Sequence, residues 1–95
     1  MSGTLIKLRL YIAGDAPNSR RAMANLQSFC HCHLPERCEI EIIDLFARPE
    51  RALEDMVLLT PTLMVVEPSP VRSVVGDLAD PSVLLDVLSP ERAAR

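Results

Sequence analysis

From Leu5 to Ile12 apolar residues alternate with Lys7, Arg9 and Tyr11, the period-two pattern of a strand with one buried face. Ala13-Gly14-Asp15-Ala16-Pro17-Asn18-Ser19 follows as a loop, and its last three residues supply a turn and a helix-capping group. Ala22, Met23, Leu26, Phe29, Cys30 and His33 then recur at helical spacing, which predicts an amphipathic helix ending near Pro35. Ile40, Ile42, Ile43 and Leu45 predict a second strand, with Glu39 and Glu41 alternating outward and Asp44 near its end. Pro49 suits the first turn of a second helix, where its missing N–H is harmless, and Ala52, Leu53, Met56 and Val57 continue at helical spacing.

Two short strands are predicted between Thr60 and Asp77. The apolar runs Leu63–Val66 and Val71–Val75 are separated by Pro68 and Pro70 and closed by Gly76-Asp77. Asp80-Pro81-Ser82 reads as an N-cap with proline at the first helical position, leading into Val83, Leu84, Leu85, Val87 and Leu88, and Pro90 stops that helix. The order is β-α-β-α-β-β-α. A β-α-β start requires parallel strands with a right-handed crossover, and the last two strands pair as an antiparallel hairpin. This α/β pattern with a mixed sheet resembles the thioredoxin-like topology, in which a cis proline stands where Thr60-Pro61-Thr62 enters its strand. Residues 1–89 are expected to form one domain, and residues 90–95 a short tail.

Composition narrows the picture. A chain of 95 residues supports one small core that buries roughly 60–65% of the unfolded surface. With three aromatic residues and no tryptophan, that core must be aliphatic. A net charge of −3 with scattered basic residues offers no stripe to neutralise a phosphate backbone, which argues against nucleic acid as a partner. Lys7 and Arg9 interrupt any signal-peptide core and no apolar run approaches a membrane span. A soluble, cytoplasmic protein is expected. Three cysteines, an odd number, point to free thiols rather than a disulfide scaffold.

The candidate chemistry is sparse. A thioredoxin carries its Cys-x-x-Cys after the first strand, but Asp15-Ala16-Pro17-Asn18-Ser19 holds no thiol to attack or resolve a disulfide. Cys30-His31-Cys32-His33 with Cys38 resembles a metal cluster. Consecutive helical residues point about 100° apart, so only Cys30 and His33 share a face, and Cys38 must fold back past Pro35 to join them. Buried or surface thiols are the simpler reading, and no metal or other cofactor is expected. Asp44, Asp55 and Asp77 lack a nucleophile, a histidine base or a phosphate-cradling loop beside them. Arg72, on an otherwise apolar strand, reads equally as a solvated arginine or a partner contact.

Taken in order, Leu10-Tyr11-Ile12-Ala13-Gly14 with Pro17-Asn18-Ser19, Ile43-Asp44-Leu45 with Pro49, Leu59-Thr60-Pro61-Thr62-Leu63, and Pro70-Val71-Arg72 with Val75-Gly76-Asp77-Leu78 resemble the KaiB family across nearly the whole chain. The resemblance implies a non-enzymatic circadian-clock protein that docks on the N-terminal ATPase ring of KaiC, with Asp55, Met56, Leu59, Pro70 and Arg72 as partner contacts. It also implies two folds: a tetramer with a rearranged second half, and a rarer thioredoxin-like monomer that binds KaiC and then captures KaiA. Pro61, Gly76, Asp77, Val87 and Ser89 are the positions expected to set that balance.

Three departures qualify it. Glu39 and Glu41 stand where clock members carry a small residue and a lysine on the KaiA-facing edge, which argues against KaiA capture. Met56 replaces a usual lysine. Val87 and Ser89 replace a glycine and an aspartate, and losing that glycine favours the helical form by a few tenths of a kcal/mol. A mostly monomeric, thioredoxin-like protein with a helix over roughly residues 81–89 is therefore expected, and the tetramer belongs to the alternative fold. Two other readings are a degenerate thioredoxin-like enzyme working through Cys30, Cys32 or Cys38, and a stand-alone domain similar to the sensor of the SasA kinase.

Overall fold

The computed structural model describes residues 5–68 and 70–88. Along them run β1 (Ile6–Ile12), α1 (Pro17–His33), β2 (Cys38–Asp44), α2 (Glu50–Glu54), β3 (Thr62–Glu67), β4 (Arg72–Val75) and α3 (Pro81–Leu88). The alternation in β1 sets the core: Ile6, Leu8, Leu10 and Ile12 share one sheet face, where α1 adds Ala22, Leu26, Phe29 and Cys30 and α3 adds Leu84 and Leu88. Each fully buried leucine or isoleucine contributes about 1.5–3 kcal/mol. The sheet order is β2-β1-β3-β4, with β2 parallel to β1 and β3 antiparallel to it. β3 and β4 form the expected hairpin, pairing Leu63 with Val74. The Thr60–Pro61 bond is cis, as the topology predicts, and Glu67–Pro68 is cis as well.

The second sheet face is not left to solvent. Tyr11, Ile43 and Val57 form a smaller cluster there with Leu45 and Met64. Tyr11 is therefore fully buried, which corrects the one-faced reading of β1: the segment that follows α2 covers this end of the sheet.

The largest difference from the sequence pattern lies in α2. Ala52, Leu53, Met56 and Val57 do not form one buried helical face, because the helix stops at Glu54. Met56 takes a left-handed conformation (φ 57°), the Met56 N–H reaches the Leu53 carbonyl at 3.3 Å, and the Val57 N–H reaches that of Ala52 at 2.9 Å. These two bonds and the left-handed residue between them are the Schellman arrangement that ends a helix and reverses the chain. Val57 is thereby turned into the core, while Leu53 and Met56 are 85% and 83% exposed.

The start of α1 also departs from expectation. Its N-cap is Ala16, which has no side-chain bond, with Pro17 in the first turn. Ser19 is buried, and its hydroxyl accepts the Ala13 N–H at 3.1 Å, so it braces the loop rather than capping the helix. At α3 the expected cap is present: Asp80 Oδ1 accepts the Ser82 N–H at 3.0 Å and the Ser82 hydroxyl at 2.8 Å. These bonds, the hydroxyl's first, hold the Asp80 carboxyl below its usual range. The predicted last helical residue, Ser89, and the tail at residues 90–95 lie outside the described residues. Among the described residues no helix is long and apolar enough to cross a membrane.

Candidate functional site

The turn at Met56 creates an exposed apolar surface. Between it and Pro61 the chain presents Leu58 and Leu59, 94% and 62% exposed, beside Met56. With Thr62, Met64 and Val75 these residues line a recess of about 240 Å³. Val75 of β4 is itself more than half exposed, so the apolar surface continues onto that strand at the sheet edge.

Behind this surface stands a polar anchor. Tyr11 donates from its hydroxyl to Asp55 Oδ2 at 2.6 Å, and Arg51 donates to the same oxygen from Nε at 3.1 Å and Nη2 at 2.9 Å. Arg9 lies 3.8 Å from that carboxylate and 3.3 Å from Glu41, and Arg51 lies 4.0 Å from Glu41. Two cations thus face two carboxylates in a half-buried setting where unpaired charge would be costly. The Tyr11 hydroxyl above all, and then Arg51, holds the Asp55 carboxyl below the usual range. Burial, reinforced by the bond to Asp55, pushes the Tyr11 phenol up. Asp55 is also the C-cap of α2, so the network fixes the point from which residues 56–59 leave the helix.

The sequence-predicted contact residues are therefore dispersed. Met56 and Leu59 lie on the apolar surface, whereas Asp55 lies beneath it, engaged by Tyr11 and Arg51. Pro70 is exposed in the β3–β4 connection, and Arg72 is half-buried on β4 with its Nε buried and without a hydrogen-bond partner among the described residues. Pro61 is buried, and its carbonyl accepts the Gly76 N–H at 2.9 Å. The Asp77 carbonyl accepts from Asn25 at 2.8 Å, and its carboxylate lies 3.5 Å from Arg21. Val87 packs at the core margin.

Glu39 and Glu41 are exposed on the edge strand β2, as predicted, yet they differ in kind. Glu41 is bound into the anchor through Arg9 and Arg51, while Glu39 stands in register with Lys7. Sequence reasoning passed over Tyr11 and Arg51, the residues that hold Asp55. For Arg51 a signal was available in its i,i+4 spacing from Asp55; for Tyr11, 44 positions from Asp55, there was none.

The remaining candidates are absorbed structurally. Asp44 Oδ1 accepts the Gly14 N–H at 3.0 Å and the Phe46 N–H at 2.9 Å and so fastens the first loop. His33 stacks on Phe29 with ring centroids 4.4 Å apart. Cys38 does fold back past Pro35, because the Leu34 N–H closes on the Cys30 carbonyl at 2.8 Å and Glu36 turns through a left-handed conformation. There it packs against the core cluster that contains Cys30, and among the described residues no group of histidine, cysteine or carboxylate side chains could hold a metal ion.

Residues 9–90 match the KaiB domain family. The chain is 38% identical over 80 residues to the circadian clock protein KaiB3 of Synechocystis, covering 84% of this chain and 78% of that protein. It is 42% identical over 73 residues to the circadian clock oscillator protein KaiB of Synechococcus elongatus, covering 77% of this chain and 72% of the relative. In structure it is similar to the N-terminal domain of SasA from Synechococcus elongatus, with a TM-score of 0.74 at 15% identity over 99% of this chain and 88% of that one. It is likewise similar to chloroplastic thioredoxin z, with a TM-score of 0.77 at 12% identity over 96% and 80% of the two chains. At such low identity these likenesses establish the thioredoxin-like fold alone. The match over most of its length and the similarity to clock proteins together show that this chain belongs to the KaiB family.

Proposed function

We propose that the chain is a non-enzymatic, cytoplasmic docking protein that binds the N-terminal ATPase ring of a KaiC-type ATPase and modulates its cycle. The observation that carries this reading is the apolar surface of Met56, Leu58 and Leu59, exposed on a loop whose root is fixed by the Asp55 anchor. Large exposed apolar side chains grouped on a rigid support are what an interface core requires. Pro70, exposed, and Arg72, half-buried on β4, add a second contact in this reading. The thioredoxin-like packing is the binding-competent state, populated mainly as a monomer, with Pro61, Gly76, Asp77, Val87 and Ser89 setting the balance against a tetrameric alternative.

KaiA is expected not to join the complex, because Glu39 and Glu41 put exposed carboxylates on the β2 edge. Glu39→Ala is the cleaner test of that edge, since altering Glu41 also disturbs Arg9 and Arg51.

The test is a pull-down with the host's KaiC-type ATPase and nucleotide, comparing the parent with Leu58→Asp. Leu58 is almost fully exposed, so the variant should fold normally while affinity falls by roughly tenfold or more. A Leu58→Asp protein that binds as tightly as the parent refutes the reading. Replacing all three cysteines should leave binding intact, which separates docking from thiol chemistry.

A further inference from the structure

Cys30 lies in the last turns of α1 and is buried, and Cys38 is the half-buried first residue of the edge strand β2. Both positions are set by the backbone. The Leu34 N–H bonds to the Cys30 carbonyl at 2.8 Å, the Arg37 N–H to the Leu34 carbonyl at 3.1 Å, and the Ile6 N–H to the Arg37 carbonyl at 2.8 Å. Cys38 is in register with Ile6 and packs against the core cluster that contains Cys30. The two thiols therefore share one corner of the core, where each perturbs the titration of the other. Cys32, two positions from Cys30, lies on the opposite side of the helix and is exposed.

We propose that Cys30 and Cys38 are a redox modification site, a dithiol that hydrogen peroxide closes into an intramolecular disulfide tying the last turns of α1 to the first residue of β2. The roles of the two sulfurs differ. Cys38 is half-buried on the edge strand, where peroxide can approach, so its sulfur is the one that reacts first, and the buried Cys30 resolves it. In keeping with this, the neighbouring Cys30 thiol, and then the charge of Arg37, hold Cys38 below the usual thiol range, while the Cys38 thiol and burial push Cys30 up.

The Cys38 sulfur attacks one peroxide oxygen, an S–O bond forms as the O–O bond breaks, and the leaving hydroxide takes up a proton to become water. The Cys30 sulfur then loses its proton and attacks the Cys38 sulfenic acid, forming the S–S bond and releasing a second water. In sum, two thiols and one peroxide give one disulfide and two waters. The bridge fastens the start of the edge strand that carries Glu39 and Glu41 and leaves the Met56–Leu59 surface untouched.

The test is peptide mapping by mass spectrometry of the folded protein after graded hydrogen peroxide, with remaining thiols alkylated. A Cys30–Cys38 disulfide is expected, with the loss of two hydrogens from the intact mass, Cys32 still alkylated, and reversal by a reductant. Cys32→Ser should react as the parent does. Cys30→Ala, checked for folding by its thermal transition, should instead accumulate a Cys38 sulfenic acid that dimedone traps.

The mapping of the parent protein decides the matter even if that variant fails to fold. Three free thiols after peroxide treatment that oxidises free glutathione overturn the proposal, as does a disulfide that involves Cys32 or joins two chains. Equal reaction of all three cysteines in native protein and in urea also overturns it.

Discussion

Replacing Tyr11 with phenylalanine isolates the anchor beneath the apolar surface. Tyr11 is fully buried and its hydroxyl lies 2.6 Å from Asp55 Oδ2. Phenylalanine keeps the ring and its packing while removing one charge-assisted hydrogen bond, whose net contribution is about 1.5–3 kcal/mol. Asp55 retains two bonds from Arg51 and is partly open to water, so the loss belongs at the low end, about 1.5 kcal/mol. For a domain of this size that corresponds to a fall in Tm of roughly 6–12 °C.

The effect must also depend on pH. The Asp55 carboxyl is depressed in the folded protein, chiefly by Tyr11, so its stabilising contribution is fully present above the unfolded carboxylate pKa of about 4 and is lost as pH falls through the depressed folded value. Thermal melts of parent and variant from pH 7 to pH 2.5 should therefore start apart and converge in acid. A Tm difference near zero at pH 7, or one that stays constant into acid, would refute the reasoning.

Other variants test other parts of the structure. Met56→Gly relieves a left-handed residue that packs little, so it should raise stability by about 0.5–1 kcal/mol in urea denaturation while weakening partner binding; reduced stability would contradict the Schellman turn. Gly14→Ala should cost about 1 kcal/mol, because φ is +56° and the new Cβ would stand 2.9 Å from the Phe46 ring. Adding Phe46→Ala should recover only the steric part, and simple additivity in the double-mutant cycle would count against the contact. Leu84→Ala should cost about 2–5 kcal/mol and Leu53→Ala less than about 0.5 kcal/mol. Comparable losses at both sites would restore the long buried α2 that the structure replaces.

Features that depend on contacts within one element or between neighbouring ones could be read from the residues alone. The β1 alternation, the apolar face of α1, the Asp80 cap and the order of elements were legible because each repeats a local period or a local hydrogen bond, and together they select the β-α-β start and the hairpin. The family was legible for a related reason, since several short blocks occur in the right order. Other features depend on packing between distant segments. Leu53 and Met56 share the period of a buried helix, but a six-residue turn with one left-handed residue sends Val57 inward in their place.

Tyr11 reads as the exposed side of a strand until Asp55, 44 positions away, arrives to take its hydroxyl. Glu41 reads as a repelling edge charge until Arg9 and Arg51 close on it. Cys38 joins the core cluster of Cys30 only because the turn after α1 returns the chain beside its own helix. In each case the energy of the residue depends on a segment distant in sequence, and periodicity carries no information about which distant segment that will be.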